Sequence, residues 1–146
     1  MSSLPPPLIL ASTSRYRREL LSRLRLPFTV EAPGVDETPQ PGEAPAALAR
    51  RLALEKARAV ARRYPGSVVI GSDQVADLAG QPLGKPGSHA RAVEQLRLMS
   101  GRQVVFQTAL AVVRGDIGHE SVDLAPVTVI FRTLGDAEIE TYLRLD

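Results

Sequence analysis

Apolar and polar positions alternate along this chain in short blocks, and the blocks predict strands and helices in turn. Leu8-Ile9-Leu10-Ala11 is an apolar run with prolines before it and Ser12-Thr13-Ser14 after it, which predicts a buried strand. A helix is expected next. Any of the three hydroxyl residues can cap it, and Leu20, Leu21 and Leu24 fall at helical spacing before Pro27. Phe28 to Ala32 reads as a second strand, and the stretch from Gly34 to Ala44, rich in Pro, Gly and acids, as an ordered loop or lid. From about Pro45 to Tyr64 the pattern predicts a long helix with Leu48, Leu52 and Val60 on its apolar stripe, ended by Pro65-Gly66. Val68-Val69-Ile70 predicts another buried strand running straight into Gly71-Ser72-Asp73. A Ser88-capped helix carries Val93, Leu96 and Met99 inward and stops at Gly101. Two long strands follow, about Val104–Val113 and Val122–Phe131, with turn residues at Gly115-Asp116-Ile117-Gly118 between them. A last helix begins near Asp136 with Ile139, Tyr142 and Leu143. No repeat, low-complexity tract or linker interrupts this order. The alternation predicts one three-layer α/β domain with a mixed sheet, and ligands of such sheets sit beyond the carboxyl ends of strands.

Composition changes this picture at one point. With 146 residues, 44% hydrophobic and 23% charged, the chain is an ordinary globular length and balance. A net charge of +2 does not suggest nucleic-acid binding. No apolar run approaches a membrane span, and Met1 to Pro7 lacks the basic and apolar regions of a secretory signal. The absence of cysteine excludes disulfides and thiolate metal sites and fits a cytoplasmic location. Of the 18 basic residues, however, only Lys56 and Lys85 are lysines. A background bias turns most basic positions into arginine, and only a position needing a compact charge on a flexible stem resists it.

Two segments satisfy the strand-end rule. Ser12 to Arg18 joins hydroxyls and free helix amides to Arg15, Arg17 and Arg18, a pattern suited to phosphate and equally to a plain capped helix with a solvated arginine face. No Gly-x-x-x-x-Gly-Lys-Ser/Thr loop occurs. Asp73, after Gly71-Ser72, can hold a cation, take a proton from water or cap a turn. Gly71 lets a ligand or a backbone come close. Lys56 lies four residues after Leu52 and eight after Leu48, on the apolar stripe, so it must snorkel, pair with an acid or enter a polar site under the helix. Its neighbour Glu55 points elsewhere. Lys85 sits in the stiff turn Leu83-Gly84-Lys85-Pro86, and Asp36-Glu37 in the proline-rich loop could bind a metal. His89 and His119 have no metal-ligand partners at useful spacing and read as surface residues.

Taken together, these strings resemble the Maf family of nucleotide pyrophosphatases. The resemblance rests on Leu8-Ile-Leu-Ala-Ser-Thr-Ser-Arg-Tyr-Arg-Arg-Glu-Leu-Leu, Val35-Asp-Glu-Thr, Leu54-Glu-Lys-Ala, Gly71-Ser-Asp-Gln-Val and Gly84-Lys-Pro, in order and at compatible spacing, with Ser100-Gly101 and Phe131-Arg132 beyond them. It implies an elongated Maf/ITPase-like sheet and cleavage of a nucleoside triphosphate between the α and β phosphates. The cofactor it implies is a divalent cation, Mg²⁺ or Mn²⁺. Asp73 is then the catalytic base, and Ser12, Arg17, Glu37, Lys56 and Lys85 bind substrate. Glu37 and Asp73 are the metal ligands. Tyr16 and Gln74 stand where the dTTP/UTP branch has an arginine and a threonine, so the resemblance points to the branch acting on 7-methyl-GTP. A methylated guanine is cationic, and Tyr16 is a candidate to stack on it.

Family members continue for several dozen residues past the helix that ends this chain, so the single domain over 1–146 is expected to be incomplete at its C-terminus. An exposed sheet edge there would invite a second copy and leaves a homodimer open. The expected function is 7-methyl-GTP pyrophosphatase activity that clears modified nucleotides. The alternatives are a dTTP/UTP pyrophosphatase of the same family, a non-catalytic nucleotide-binding regulator of cell division and septum formation, or a general phosphohydrolase of a related fold.

Overall fold

The computed structural model describes residues 5–84 and 87–145. Strand β1 (Leu8–Ala11) leads to helix α1 (Arg15–Ser22), then β2 (Thr29–Glu31) and helix α2 (Pro45–Ala61). Strands β3 (Val68–Leu78) and β4 (Gln81–Leu83) come next, followed by α3 (His89–Met99) and β5 (Gln103–Arg114). A short 3₁₀ turn at Gly115–Ile117, strand β6 (His119–Ile130) and α4 (Asp136–Leu145) complete the order. The sheet runs β2-β1-β3-β5-β6, with β4 hydrogen-bonded to β3 off this path. β1 is parallel to both β2 and β3, while β3, β5 and β6 are antiparallel neighbours. The sheet is therefore mixed and flanked by helices, in agreement with a three-layer α/β fold. Its β5–β6 ribbon pairs 12 residues from Gln103–Ile130 to Arg114–His119, roughly 40 Å of strand.

Local sequence accounts for most boundaries. Pro45 occupies the first turn of α2, where its missing N–H has no partner to lose. Ser88 caps α3 by accepting from the Arg91 amide at 3.2 Å. Ser14 caps α1 in the same way, through the Arg17 amide at 3.3 Å. Helix α1 stops at Ser22, short of Leu24. There the bonds tighten to three-residue steps and Arg25 takes a left-handed backbone, φ 57, which ends the helix before Pro27.

The core lies between α2 and one face of the sheet. Ala49, Ala53 and Ala57, each four residues after the last, are fully buried on the helix. Opposite them stand Val69, Val75, Ala109, Ala111 and Val113. The register places Gly71 against Ala111 and Asp73 against Ala109. Small residues on both sides let helix and sheet come unusually close. A Cβ on Gly71 would stand 2.2 Å from the Ala53 carbonyl oxygen and 2.9 Å from the Ala57 nitrogen.

This contact corrects the reading of β3. The strand does not stop at Ile70: it runs through Gly71, Ser72 and Asp73 to Leu78, so Asp73 lies inside a strand and not beyond its end. Polar residues interrupt the apolar pattern, but the ladder to β5 continues unbroken from Val69–Val113 to Asp77–Val105. Gly71 serves the helix backbone, not a ligand.

Replacing Gly71 by Ala is expected to force α2 off the sheet and destabilise the fold by about 1–3 kcal/mol. Urea denaturation of Gly71→Ala checks this, and an unchanged midpoint would refute the close approach.

Candidate active site

The site forms at a notch in the sheet. β1 pairs with β3 only as far as Leu10–Ile70, and β4 joins the same edge of β3 at Ala76–Leu83. Between them, Gly71 to Val75 face neither strand. α2 crosses below this gap and sends Lys56 into it. The Lys56 Nζ donates to Asp73 Oδ1 at 2.9 Å and, more weakly, to the Ser72 carbonyl at 3.4 Å. It also pairs with Glu37 Oε1 at 2.9 Å. Lys56 and Asp73 are each only 6% exposed, whereas the Glu37 side chain is 40% exposed. One ammonium thus stands between two carboxylates, with Lys56 and Asp73 largely out of water. Glu55 points away and pairs with Arg51 instead.

Ser12 is buried and its Oγ accepts from the Ser14 amide at 2.9 Å. This bond orients the turn from β1 into α1. Ser12, Thr13, Ser14 and Arg17 line a cavity of about 380 Å³ whose far wall holds Glu37 and Lys56. A second cavity, about 660 Å³, is lined by Leu48, Leu52, Val75, Met99 and Phe106, with Glu37, Asp73 and Gln74 at its margin. Glu37 belongs to both. The first is polar and basic and the second largely apolar, and the three-residue ionic cluster stands where they meet.

Sequence-derived candidates thus divide. Ser12, Arg17, Glu37, Lys56 and Asp73 come together. Gln74 borders the larger cavity, though its side-chain amide donates to Thr108 Oγ1 at 3.0 Å. Tyr16 is 69% exposed on α1 and lines neither cavity. Lys85 lies outside the described residues. Asp36 does not face the cluster: it caps the turn by accepting from the Thr38 amide and hydroxyl, which hold its carboxyl below the usual range. His89 is exposed and bonds Glu140.

Phe106 and Met99 had no signal of their own, because an apolar residue in a strand or helix reads as core whether it faces a core or a cavity. Among the described residues no three His, Cys, Asp or Glu side chains converge as a metal cage. Two carboxylates meeting at one point still match Mg²⁺, which takes one or two protein carboxylates and completes its shell with water and substrate phosphate. No helix of the described residues is long and apolar enough to cross a membrane.

Removing the ammonium strands a buried carboxylate. Lys56→Met is expected to cost about 3–5 kcal/mol, and adding Asp73→Leu to restore most of it. Urea denaturation of the single and double variants measures both, and equal losses would show that the pair does not hold the fold at this point.

The chain matches the family model described as Maf-like protein over residues 7–146. A protein of a Polaromonas species, named 7-methyl-GTP pyrophosphatase, is 68% identical over 140 residues, which is 96% of this chain and 64% of that protein. A protein of the same name from Bordetella pertussis is 62% identical over 146 residues, 100% of this chain and 72% of its own length. The chain spans about two-thirds of the length of these curated relatives. Among solved structures, the Staphylococcus aureus Ham1 protein aligns with a TM-score of 0.58 and 17% identity, over 85% of this chain and 71% of its own. The two share a fold.

Proposed function

Because the chain belongs to the Maf-like protein family, we propose that it is part of a nucleoside triphosphate pyrophosphatase that acts on 7-methyl-GTP, releasing the monophosphate and pyrophosphate. The observation that carries this reading is the pair of cavities joined at Lys56, Asp73 and Glu37. A nucleotide has the same division, an apolar planar base at one end and a run of anionic phosphates at the other. With the base in the larger cavity and the terminal phosphates beside Arg17, the α-phosphorus falls at the ionic cluster.

In this reading Arg17 grips phosphate oxygens and the hydroxyls of the Ser12–Ser14 turn add donors to the leaving pyrophosphate. Lys56 holds one oxygen of Asp73 and leaves the other to take a proton from the attacking water. Lys56 also lies within reach of the charge that develops on phosphate oxygens. Glu37 and Asp73 would hold the divalent cation, Mg²⁺ or Mn²⁺, which when bound supplies positive charge to the triphosphate. Lys85 enters as a further phosphate ligand on the strength of the motif alone. For the base, Phe106 offers an aromatic face inside the larger cavity, and a cationic methylated guanine is drawn to such a face. Tyr16, exposed on α1, has no comparable support from the geometry. A nucleotide substrate, a cytoplasmic location and no nucleic-acid or membrane partner complete the proposal.

Pyrophosphate release from a panel of nucleotides tests it. Activity is expected to be highest with 7-methyl-GTP and to fall by roughly 10²–10⁴-fold in Asp73→Asn. Undiminished turnover in that variant would remove Asp73 as the base. Preference for dTTP or UTP would overturn the substrate alone, and orthophosphate release would point to a general phosphohydrolase. Tight binding with no turnover under any divalent cation would favour a regulatory role.

A further inference from the structure

The two carboxylates at the cluster are held with very different firmness. Asp73 stands in the middle of an eleven-residue strand that is paired with β5 on its other edge. Glu37 comes from an irregular loop between β2 and α2, and nothing in that loop is helix or strand. Yet its carboxylate is 2.9 Å from Lys56. Bonds from outside the cluster also hold the loop.

Arg51 is the residue placed to do so. It lies on α2, five residues before Lys56, and its side chain leaves the helix towards the loop. The Nε and Nη2 atoms donate to both oxygens of Glu43 at 2.7 and 2.9 Å, a bidentate fork. Nη2 also donates to the Thr38 carbonyl at 3.2 Å, one residue from Glu37. Nη1 is anchored by Glu55 at 2.7 Å. The bond from Arg51 holds the Glu43 carboxyl below its ordinary range. Glu43 in turn accepts from the Gln40 amide at 3.0 Å, and its own amide donates to the Gln40 carbonyl at 3.0 Å. On the other side of Glu37, Asp36 ties the Thr38 amide. The Glu43 side chain is 9% exposed and that of Arg51 22%, so the fork is largely shielded from water.

We propose that Arg51 is a positioning residue. Through Glu43 and the Thr38 carbonyl it clamps the loop 36–43 onto α2, and so holds the Glu37 carboxylate at Lys56, where Glu37 and Asp73 would hold a divalent cation. Glu55 keeps the guanidinium turned the right way. The inference rests on Glu37 being a functional carboxylate, as proposed above. A lysine cannot replace Arg51, because a point charge reaches one of these acceptors but not the fork and the carbonyl together.

Two measurements decide it, on this chain and on Arg51→Ala, Arg51→Lys and Arg58→Ala. Arg58, also on α2, forms an exposed pair with Glu120 of β6 and is the control. The first is amide hydrogen exchange without nucleotide. In both Arg51 variants, peptides covering 36–43 are expected to exchange at least about tenfold faster while β3 and β5 keep their protection, since local opening is set by local bonds. The second is the Mg²⁺ concentration for half-maximal pyrophosphate release from the best nucleotide of the panel. It is expected to rise about 10–100-fold, the usual effect of losing a residue that orients a metal ligand, with kcat at saturating Mg²⁺ little changed. Unchanged exchange at 36–43 would overturn the clamp. Faster exchange with an unchanged Mg²⁺ requirement would overturn its role in positioning. If no nucleotide is turned over, the proposed function falls, and the exchange result still decides whether Arg51 holds the loop.

Discussion

The site depends on how closely α2 lies against the sheet. Ala53 and Ala57 on the helix meet Gly71 on β3, with Ala111 beside it, and this spacing lets one lysine pass between helix and sheet to reach Asp73. A lysine on the buried stripe of a helix is otherwise a large cost, because an ammonium loses its hydration and gains nothing. Here it meets two carboxylates and a backbone carbonyl. The closeness that makes burial costly also strengthens the pairing, since few waters remain to screen it. Larger side chains at 53, 57 or 71 would separate the layers and leave Lys56 short of its partners. The packing of the core and the construction of the cluster are therefore one constraint.

Strand β3 shows how a sheet can place a buried carboxylate at a cleft without a loop. Because β1 ends at Ala11 and β4 begins at Gln81, the middle of β3 has an open edge on one side and a full ladder on the other. The Ser72 carbonyl faces the gap, and the Asp73 side chain faces α2. Rigid placement follows from the β5 ladder and access from the missing neighbour. Glu37 is the opposite case. It approaches from an irregular loop whose order comes from turn bonds and from Arg51.

Much of this arrangement was legible in the sequence, and the exceptions have a common cause. A lysine on an apolar stripe had to snorkel, pair with an acid or enter a polar site, and it pairs with Asp73. The serine-rich turn after Leu8–Ala11 did mark a helix start, with Ser14 rather than Ser12 as the cap. Loops and turns declared themselves through Pro and Gly. The continuation of β3 was hidden because Ser72, Asp73 and Gln74 break the apolar pattern, and period-two reasoning has no means of extending a strand through a polar run. The fork from Arg51 to Glu43 was hidden because eight residues separate them across a loop. Only the helical Arg51–Glu55 pair lies at a recognisable spacing. Helix α1 was expected as an amphipathic helix and has no buried residue, so its apolar positions were legible as a pattern but not as a contact.

Under the proposed function, the division of the cleft into two chambers separates recognition from reaction. The smaller chamber presents hydroxyls and cations, which would meet features that every nucleoside triphosphate shares. The larger chamber presents Leu48, Leu52, Met99 and Phe106, whose contacts depend on the shape and electron distribution of a base. In that reading a change in the first alters the handling of all nucleotides alike. A change in the second alters which nucleotide is held while leaving Lys56 and its carboxylates in place. Glu37 is the point where the separation fails, for it borders both chambers and its position comes from a loop rather than from the sheet. Any shift of that loop moves a wall of the larger chamber and a member of the ionic cluster together. Under the proposed function, substrate fit and the geometry of the charged centre are coupled through Glu37.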